Sequence, residues 1–557
     1  MTAHLVARDV VRALVAGGVR DVVLAPGSRS APLAHALHAA ERAGWLRLSV
    51  RIDERVAAFV ALGLSRAGEL TANPELPPAL ARRPVAVVTT SGTAVANLHP
   101  AVLEADAAGV PLVLLTADRP HELRGTGANQ TTDQVGLFGP ALRHLVDVPA
   151  GAPDGPALTQ HVARALAAAT GARTRDPGPV QLNLAFREPL APETPWEPGE
   201  APEVRPVAAP AASLSLHPLE RGPRTVVVAG DGAGAAARRL AECGGWPLLA
   251  EPTSGARGGR CAVSAYRELL DLPQLGGRIE RVVVAGHPTL SRPVTRLLGW
   301  AEPEIVVVAP TGRWPDAAGT ASVVAQGCTV EGEPGPDENA WLDLWLDAGR
   351  SVVARLSHPA AGPPDDGTID ALGAAATVAG VARRSGTLLL GASRVVRDVD
   401  LVGQPWMDPL PHVLSNRGLA GIDGTISTAV GLARGSGGPV RVLLGDLTFL
   451  HDAGGLLLGA LEEDVDVQVV VADDSGGAIF ALLGHADASP DGFARLFTTP
   501  QRADLGALAR GYGAAYRAPA TLDELRTILG EPIVGRSVVH VRVGERRAET
   551  SRARSLI

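Results

Sequence analysis

Short apolar runs, each closed by a turn residue and followed by a helical pattern, recur along almost the whole chain. Asp21–Ala25 (DVVLA) ends in Pro26-Gly27, and a helical pattern begins at Ala31. Leu46–Ile52 leads into the helical stretch Val56–Arg66, Pro84–Thr90 leads through Ser91-Gly92-Thr93 into a helix, and Pro111–Thr116 is another buried run. Runs that are apolar throughout, rather than alternating, belong to strands covered on both faces. Repetition of strand, turn and helix places them in a parallel sheet. The pattern breaks at Glu188–Arg224, rich in Pro, Ala and Glu, and again at His358–Gly367 (HPAAGPPDDG); both read as linkers. Strands are expected between the breaks at Thr225–Ala229, Arg281–Ala285 and Glu304–Val308. After the second break they are expected near Thr387–Leu390, Val440–Leu444, Val467–Ala472 and Ser537–Val543. A chain of 557 residues is too long for one ordinary core. The expected class is α/β, with three doubly wound parallel-sheet domains over residues 1–190, 225–357 and 368–557 and a linker over 191–224. No sequence repeat links the three, so any kinship among them is topological.

Composition removes several kinds of function. The formal charge of -8 argues against nucleic acid as the main partner. No apolar run approaches the roughly 20 residues that span a bilayer, so membrane insertion is not expected. The opening MTAHLVARDVVRALVAGG reads as an amphipathic helix rather than a signal peptide. Cys243, Cys261 and Cys328 show neither metal nor disulfide spacing, and a reducing cytoplasm fits. The sequence contains no lysine, so all 51 Lys+Arg residues are arginine. Lysine Schiff-base chemistry and a P-loop are thereby excluded. Chemistry at a keto carbon would need another electron sink.

The most informative stretch runs from Pro439 to Phe480. Val440–Leu444 ends in Gly445-Asp446, residues His451 to Glu463 suit a helix, and Val467–Ala472 ends in Asp473-Asp474. A βαβ unit of this kind brings both acidic ends to one sheet edge, where open α/β sheets bind ligands. Two carboxylates beside a glycine-rich turn suit a hard cation such as Mg²⁺, which takes one or two carboxylates and completes its shell with phosphate and water. Either aspartate alone would read as a helix cap. The pair, with Gly445 and Gly476-Gly477, points to a metal–diphosphate site.

This stretch resembles the thiamine-diphosphate motif, in which Gly-Asp-Gly is followed at a similar distance by Asn-Asn. Here Leu447 stands for the third Gly and Asp473-Asp474 for Asn-Asn, with 26 residues between Leu447 and Asp474. The resemblance implies thiamine diphosphate and Mg²⁺ (or Mn²⁺) as cofactors. The implied metal ligands are Asp446, Asp474 and the backbone carbonyl of Gly476, with extra negative charge from the Asp-Asp pair. It also implies a carboxylate, here Glu54, against the aminopyrimidine ring, so that the imino tautomer can deprotonate the thiazolium carbon. Read from the residues alone, Glu54 is simply an acid favoured at a helix N-terminus.

Further motifs accompany these along the whole length: APGSRSAPL from Ala25, DER from Asp53, TTSGTAVANLHPAVLEA from Thr89, LLTADRP from Leu114, GANQ from Gly127, SNRGLAGIDG from Ser415 and GDLTFLHD from Gly445. Together they resemble the 2-succinyl-5-enolpyruvyl-6-hydroxy-3-cyclohexene-1-carboxylate synthase family of menaquinone biosynthesis. The likeness implies a pyrimidine-binding domain over 1–190, a Rossmann-like central domain over 225–357 and a diphosphate-binding domain over 368–557. The implied reaction is decarboxylation of 2-oxoglutarate and 1,4-addition of the succinyl carbanion equivalent to isochorismate.

Ser91, Gly92, Leu447 and Ile479 are then cofactor contacts, with Ile422 as the wedge that bends the cofactor. Both substrates are polyanions, and planar guanidinium forks pair bidentately with carboxylates. Ser28 with Arg29, Arg119, Ser393 with Arg397, and Arg417 are implied for the substrate pocket. Asn129 and Gln130 are polar contacts, and Arg292 in TLSRP is an extra one. Phe480 and Leu483 continue the apolar wall begun by Ile479. The family brings Glu54 and the metal site to one cofactor across a subunit interface, which implies a homodimer or a dimer of dimers. Two rival readings stand beside this one. An acetolactate-synthase-like carboligase acting on pyruvate would not call for several converging arginines. A nucleotide-binding regulatory module built on Gly230-Asp231-Gly232-Ala233-Gly234 lacks a convincing acid after the next strand, Glu251 being the nearest.

Overall fold

The apolar runs become the inner strands of three all-parallel sheets. A computed structural model describes residues 2–73, 77–152, 155–207, 215–356, 368–477, 479–480 and 490–544. The first sheet comprises Asp21–Leu24, Arg47–Val50, Val85–Thr89, Leu112–Asp118, His144–Val148 and Val180–Ala185. The third comprises Thr387–Leu390, His412–Leu414, Val440–Gly445, Val467–Asp473, Ala515–Arg517 and Arg536–Arg542. Counted along the chain, both have the strand order 2-1-3-4-6-5. The kinship that no sequence repeat betrays is an identity of topology. The central sheet, Thr225–Ala229, Leu248–Ala250, Arg281–Ala285, Glu304–Val308 and Val323–Ala325, runs 2-1-3-4-5. In each sheet the order reverses between the first and third strands, and the loops beyond their carboxyl ends open a crevice there.

The two terminal domains meet through equivalent helices. Glu54–Arg66 follows the second strand of its sheet, and Thr425–Ser436 follows the second strand of the other. Both are buried almost all round, as helices must be when each packs against a sheet on one side and another helix on the other. Glycines allow the crossing. A Cβ on Gly63 would lie 2.1 Å from the carbonyl oxygen of Thr428, and one on Gly431 would lie 2.1 Å from that of Val60. One continuous apolar core, including Phe59, Leu62, Val430, Leu432, Leu444 and Val469, therefore spans both domains. Gly63→Ala should force these backbones apart and cost about 1–3 kcal/mol of stability, the range for overpacking a tight core. A denaturation midpoint equal to that of the unaltered protein would contradict this contact.

One expectation fails. Residues His451 to Glu463 are not a helix. The chain forms a short helix at Asp446–His451 and a 3₁₀ turn at Ala453–Leu456, then runs irregularly. Asp452 is the reason: its carboxylate accepts from the Ser427 backbone N–H at 2.7 Å and from the Ser427 hydroxyl at 2.9 Å. Gly455 packs so closely that a Cβ would lie 2.8 Å from Ser427 N. Tertiary contact, helped by three weak helix formers (Gly454, Gly455 and Gly459), overrides the local pattern.

Candidate active site

The duplicated topology places the candidate residues in the same way on both terminal domains. In the third domain, Ser393 and Arg397 follow the first strand, Arg417 and Ile422 the second, Asp446 the third, and Asp474, Gly476, Ile479 and Phe480 the fourth. In the first domain, Ser28 and Arg29 follow the first strand, Glu54 the second, Ser91 and Gly92 the third, and Arg119, Asn129 and Gln130 the fourth. Each set occupies the carboxyl edge of its own sheet. Leu483 lies outside the described residues.

Parallel pairing sets Gly445 opposite Ala472, so Asp446 and Asp473 leave neighbouring strands side by side. Asp446 is 5% exposed and opens the Asp446–His451 helix. Burial raises its carboxyl, and the negative charges of Asp474 and Asp473 add to this, pushing it up to about 7. Such a cluster is costly by itself and is relieved by a cation. Asp473, however, is engaged elsewhere. Its Oδ2 is 2.7 Å from Nε2 of His540, whose Nδ1 is 2.8 Å from the Tyr516 hydroxyl, and its Oδ1 accepts from Ser475 N. The His540 hydrogen bond holds the Asp473 carboxyl below the usual aspartate range. The turn that follows requires glycine: Gly476 has φ +137°, and a Cβ there would lie 2.1 Å from the Thr498 carbonyl oxygen. Among the described residues, no group of three or more His, Cys, Asp or Glu side chains is arranged to hold a metal. Two carboxylates and a backbone carbonyl, the set expected from the sequence, would suit a hard cation already carrying phosphate. Leu447 occupies the second position of the Asp446–His451 helix and is half-buried.

A cavity of about 380 Å³ is lined by Ser393, Arg397, Arg417, Ile422 and Ile479, joined by Thr289 of the central domain and by Gly418 to Ala420. Arg417 is 2% exposed; Nη2 donates to the Thr289 hydroxyl at 2.7 Å, while Nε and Nη1 are buried without a partner. Arg397 donates to the Ser393 carbonyl at 2.7 Å. Its guanidinium is lowered to about 10, first by burial and then by the positive charges of Arg417 and Arg267. Two like charges lining one cavity, Arg417 buried and Arg397 half-buried, favour anions there. Phe480, 5.7 Å from Phe497 between ring centroids, is not in that lining. Arg292 is exposed at the start of the helix Arg292–Leu298 and is not in it either.

The first-domain set forms a second group. Ser91 and Gln130 exchange hydrogen bonds, 2.8 Å from the Ser91 hydroxyl to the Gln130 carbonyl and 3.1 Å from Gln130 Nε2 to the Ser91 carbonyl. Gly92, at φ +84°, donates its N–H to Gln134. Arg29 is 6% exposed and donates to the Phe186 carbonyl, and Nε of both Arg29 and Arg119 is buried without a partner. Ser28 and Asn129 are exposed. Glu54 accepts from Asn97 at 3.3 Å. None of these residues lines the cavity around Arg417. Within one chain, Arg55, next to Glu54, bonds the His451 carbonyl, at the opposite end of that short helix from Asp446.

Sequence reasoning did not find Asn97, Gln134, Thr289 or Glu104, each of which meets a site residue or the loop that carries one. The Gly230–Gly234 loop lines a cavity of about 920 Å³ formed by the central and first domains together with Gly418 and Leu419 of the third, which also line the Arg417 cavity. Gly230 is packed so that a Cβ would lie 2.1 Å from Pro288 N. Glu251 is 1% exposed and accepts from Leu290 N at 2.9 Å.

Two domains of one topology, with an acidic site on one sheet edge and a helix-opening glutamate on the other, define a thiamine-diphosphate enzyme. The family models agree: "Thiamine pyrophosphate enzyme, N-terminal TPP binding domain" matches residues 5–137, and its C-terminal counterpart matches 400–543. A benzoylformate decarboxylase from Polynucleobacter necessarius has the same fold, with a TM-score of 0.62 at 19% identity over 98% of this chain and 99% of that one. Three similar proteins all carry the name 2-succinyl-5-enolpyruvyl-6-hydroxy-3-cyclohexene-1-carboxylate synthase. That of Kineococcus radiotolerans is 50% identical over 92% of this chain and 91% of its own. That of Arthrobacter sp. is 47% identical over 97% and 89%, and that of Nocardioides sp. 46% identical over 100% and 98%. The chain belongs to the 2-succinyl-5-enolpyruvyl-6-hydroxy-3-cyclohexene-1-carboxylate synthase family.

Proposed function

We propose that the protein decarboxylates 2-oxoglutarate and adds the resulting four-carbon unit to isochorismate in menaquinone biosynthesis. The observation that carries the substrate reading is the cavity lined by the buried Arg417 and the half-buried Arg397, with no carboxylate side chain in its lining among the described residues. A monocarboxylate such as pyruvate would leave one of the two charges uncompensated; a pair of polyanions would not. Bound thiamine diphosphate supplies the electron sink for decarboxylation, which a chain without lysine cannot supply from a side-chain amine. Asp446, Asp474 and the Gly476 carbonyl would hold Mg²⁺ or Mn²⁺, and through it the diphosphate. Ser91, Gly92, Ile422 and Ile479 would form the walls for the cofactor's rings, and Glu54 would hold a proton at its carboxyl for the aminopyrimidine.

Arg29 and Arg119, with Ser28, Asn129 and Gln130, supply the opposite side of the substrate pocket. A homodimer, or a dimer of dimers, would bring that side over the Arg417 cavity of a second copy. In support, the Glu54 set and the Arg417 set line no common part of that cavity. The test is release of CO₂ from 2-oxoglutarate with and without isochorismate, with pyruvate as the control substrate. Arg417→Ala should raise KM for one carboxylate substrate by ~10–100-fold, the equivalent of one or two charge-assisted hydrogen bonds. Pyruvate turnover matching that of 2-oxoglutarate, or unchanged KM for both substrates in Arg417→Ala, would contradict the substrate assignment.

A further inference from the structure

The loop from Ser415 to Gly424 carries Arg417 and Ile422, and it contains Gly418, Gly421 and Gly424. Glycine-rich backbone has little stiffness of its own, yet Arg417 is buried in the cavity wall, and among the described residues its Nε and Nη1 have no hydrogen-bond partner. The rigidity is supplied from outside the loop. Glu104, on the helix His99–Ala108 of the first domain, accepts from Gly418 N and from Leu419 N at 2.8 Å each, one with each carboxylate oxygen. It is 5% exposed, and burial is the main influence raising its carboxyl. Gly418 is pressed so closely on that helix that a Cβ would lie 2.7 Å from the Glu104 carbonyl oxygen. Arg66 adds a third hold, donating to the Ser415 carbonyl at 2.6 Å.

The guanidinium itself is aimed from the central domain. Thr289 accepts from Nη2 and so fixes the plane of the guanidinium, whose Nε and Nη1 have no partner among the described residues. Thr289 is braced in turn by its neighbours: Leu290 N is held by the buried Glu251, and Pro288 lies against Gly230. We infer that Thr289 and Glu104 are positioning residues, holding Arg417 from two other domains in the geometry that binds a substrate carboxylate. The inference rests on the reading of Arg417 as a substrate contact. It gives the central domain a part in substrate affinity.

The experiment is steady-state kinetics of the full-length enzyme, saturated with thiamine diphosphate and Mg²⁺, varying each substrate in turn. Thr289→Val keeps shape but removes the acceptor. It should raise KM about tenfold, the value of one charge-assisted hydrogen bond, for the same substrate whose KM rises in Arg417→Ala. Its kcat should change by less than about twofold, since the cost falls on binding rather than on the chemical step. Thr289→Ser should restore the original KM. Glu104→Gln, which replaces one accepting oxygen by a donor, should raise the same KM without altering the affinity for thiamine diphosphate. Introduced into Arg417→Ala, Thr289→Val should have no further effect, because residues acting through one contact are not additive. An unchanged KM in Thr289→Val, or a full independent effect in the double variant, would overturn the inference while leaving the substrate role of Arg417 intact. If Arg417→Ala itself leaves both KM values unchanged, the substrate reading falls and the positioning role with it.

Discussion

Glu54→Gln is expected to lower kcat by ~10²–10⁴-fold, the usual contribution of a positioned acid–base group, while leaving the protein folded. The commonplace reason for an acid at this position is capping of the helix that follows, and here Asp53 does that work. Its Oδ1 accepts from Arg55 N at 2.8 Å and from Val56 N at 3.2 Å. Among the described residues the Glu54 side chain makes no such contact and accepts only a 3.3 Å hydrogen bond from Asn97; it is half-buried at the crevice edge of the first domain. An isosteric amide therefore removes little that stabilises the fold, and substitutions of this kind usually stay within about 0.5 kcal/mol. It removes the ability to give or take a proton. The thermal midpoint and cofactor binding should be near those of the unaltered protein, and only turnover should collapse. Retention of more than about a tenth of kcat would exclude Glu54 from proton transfer.

What the sequence made legible follows from how each feature is encoded. Strands such as Val85–Thr89 and Leu112–Asp118 are buried on both faces, so their identity is written locally as uninterrupted apolar runs. The common sheet edge of Asp446 and Asp474 was legible because a parallel crossover must return both strand ends to one edge. The irregular path after His451 was not, because it is decided by Asp452 reaching Ser427 in another element. The meaning of Asp473 was hidden for the same reason: its partner, His540, lies 67 residues further on. The residues that hold the Arg417 loop leave still less trace. Glu104 lies near the end of the TTSGTAVANLHPAVLEA motif, but nothing in the motif names its partners, and its contacts with Gly418 and Leu419 span 314 and 315 positions of sequence. Catalytic chemistry announces itself in residue types, whereas the support around it is written only in three dimensions.

Asp446→Asn should abolish activity and, in the protein without cofactor, should not destabilise the fold. These two outcomes distinguish a metal ligand from a structural aspartate. Asp446 is almost fully buried beside Asp474, and its charged form is opposed both by burial and by the neighbouring negative charge. A structural aspartate in such a place would be held by hydrogen bonds that need its charge, whereas the backbone hydrogen bond that Asp446 accepts from Leu447 can be kept by the isosteric amide's oxygen. A ligand site instead stores that repulsion until a cation relieves it. Removing the charge while keeping the shape should leave apo-protein stability equal or higher, and should weaken divalent binding with its associated diphosphate. In the unaltered protein, thiamine diphosphate and Mg²⁺ at about 100 times the dissociation constant should add about 2.7 kcal/mol to unfolding; in Asp446→Asn at the same concentrations that gain should largely disappear. The same variant tests the assembly. If one copy supplies Glu54 and the other Asp446, chains bearing Glu54→Gln and Asp446→Asn, each inactive alone, should regain about a quarter of normal activity when co-expressed, because each mixed dimer contains one intact site. Sites built within a single chain would show no recovery. A cofactor-induced shift in Asp446→Asn equal to that of the unaltered protein would remove Asp446 from the metal site.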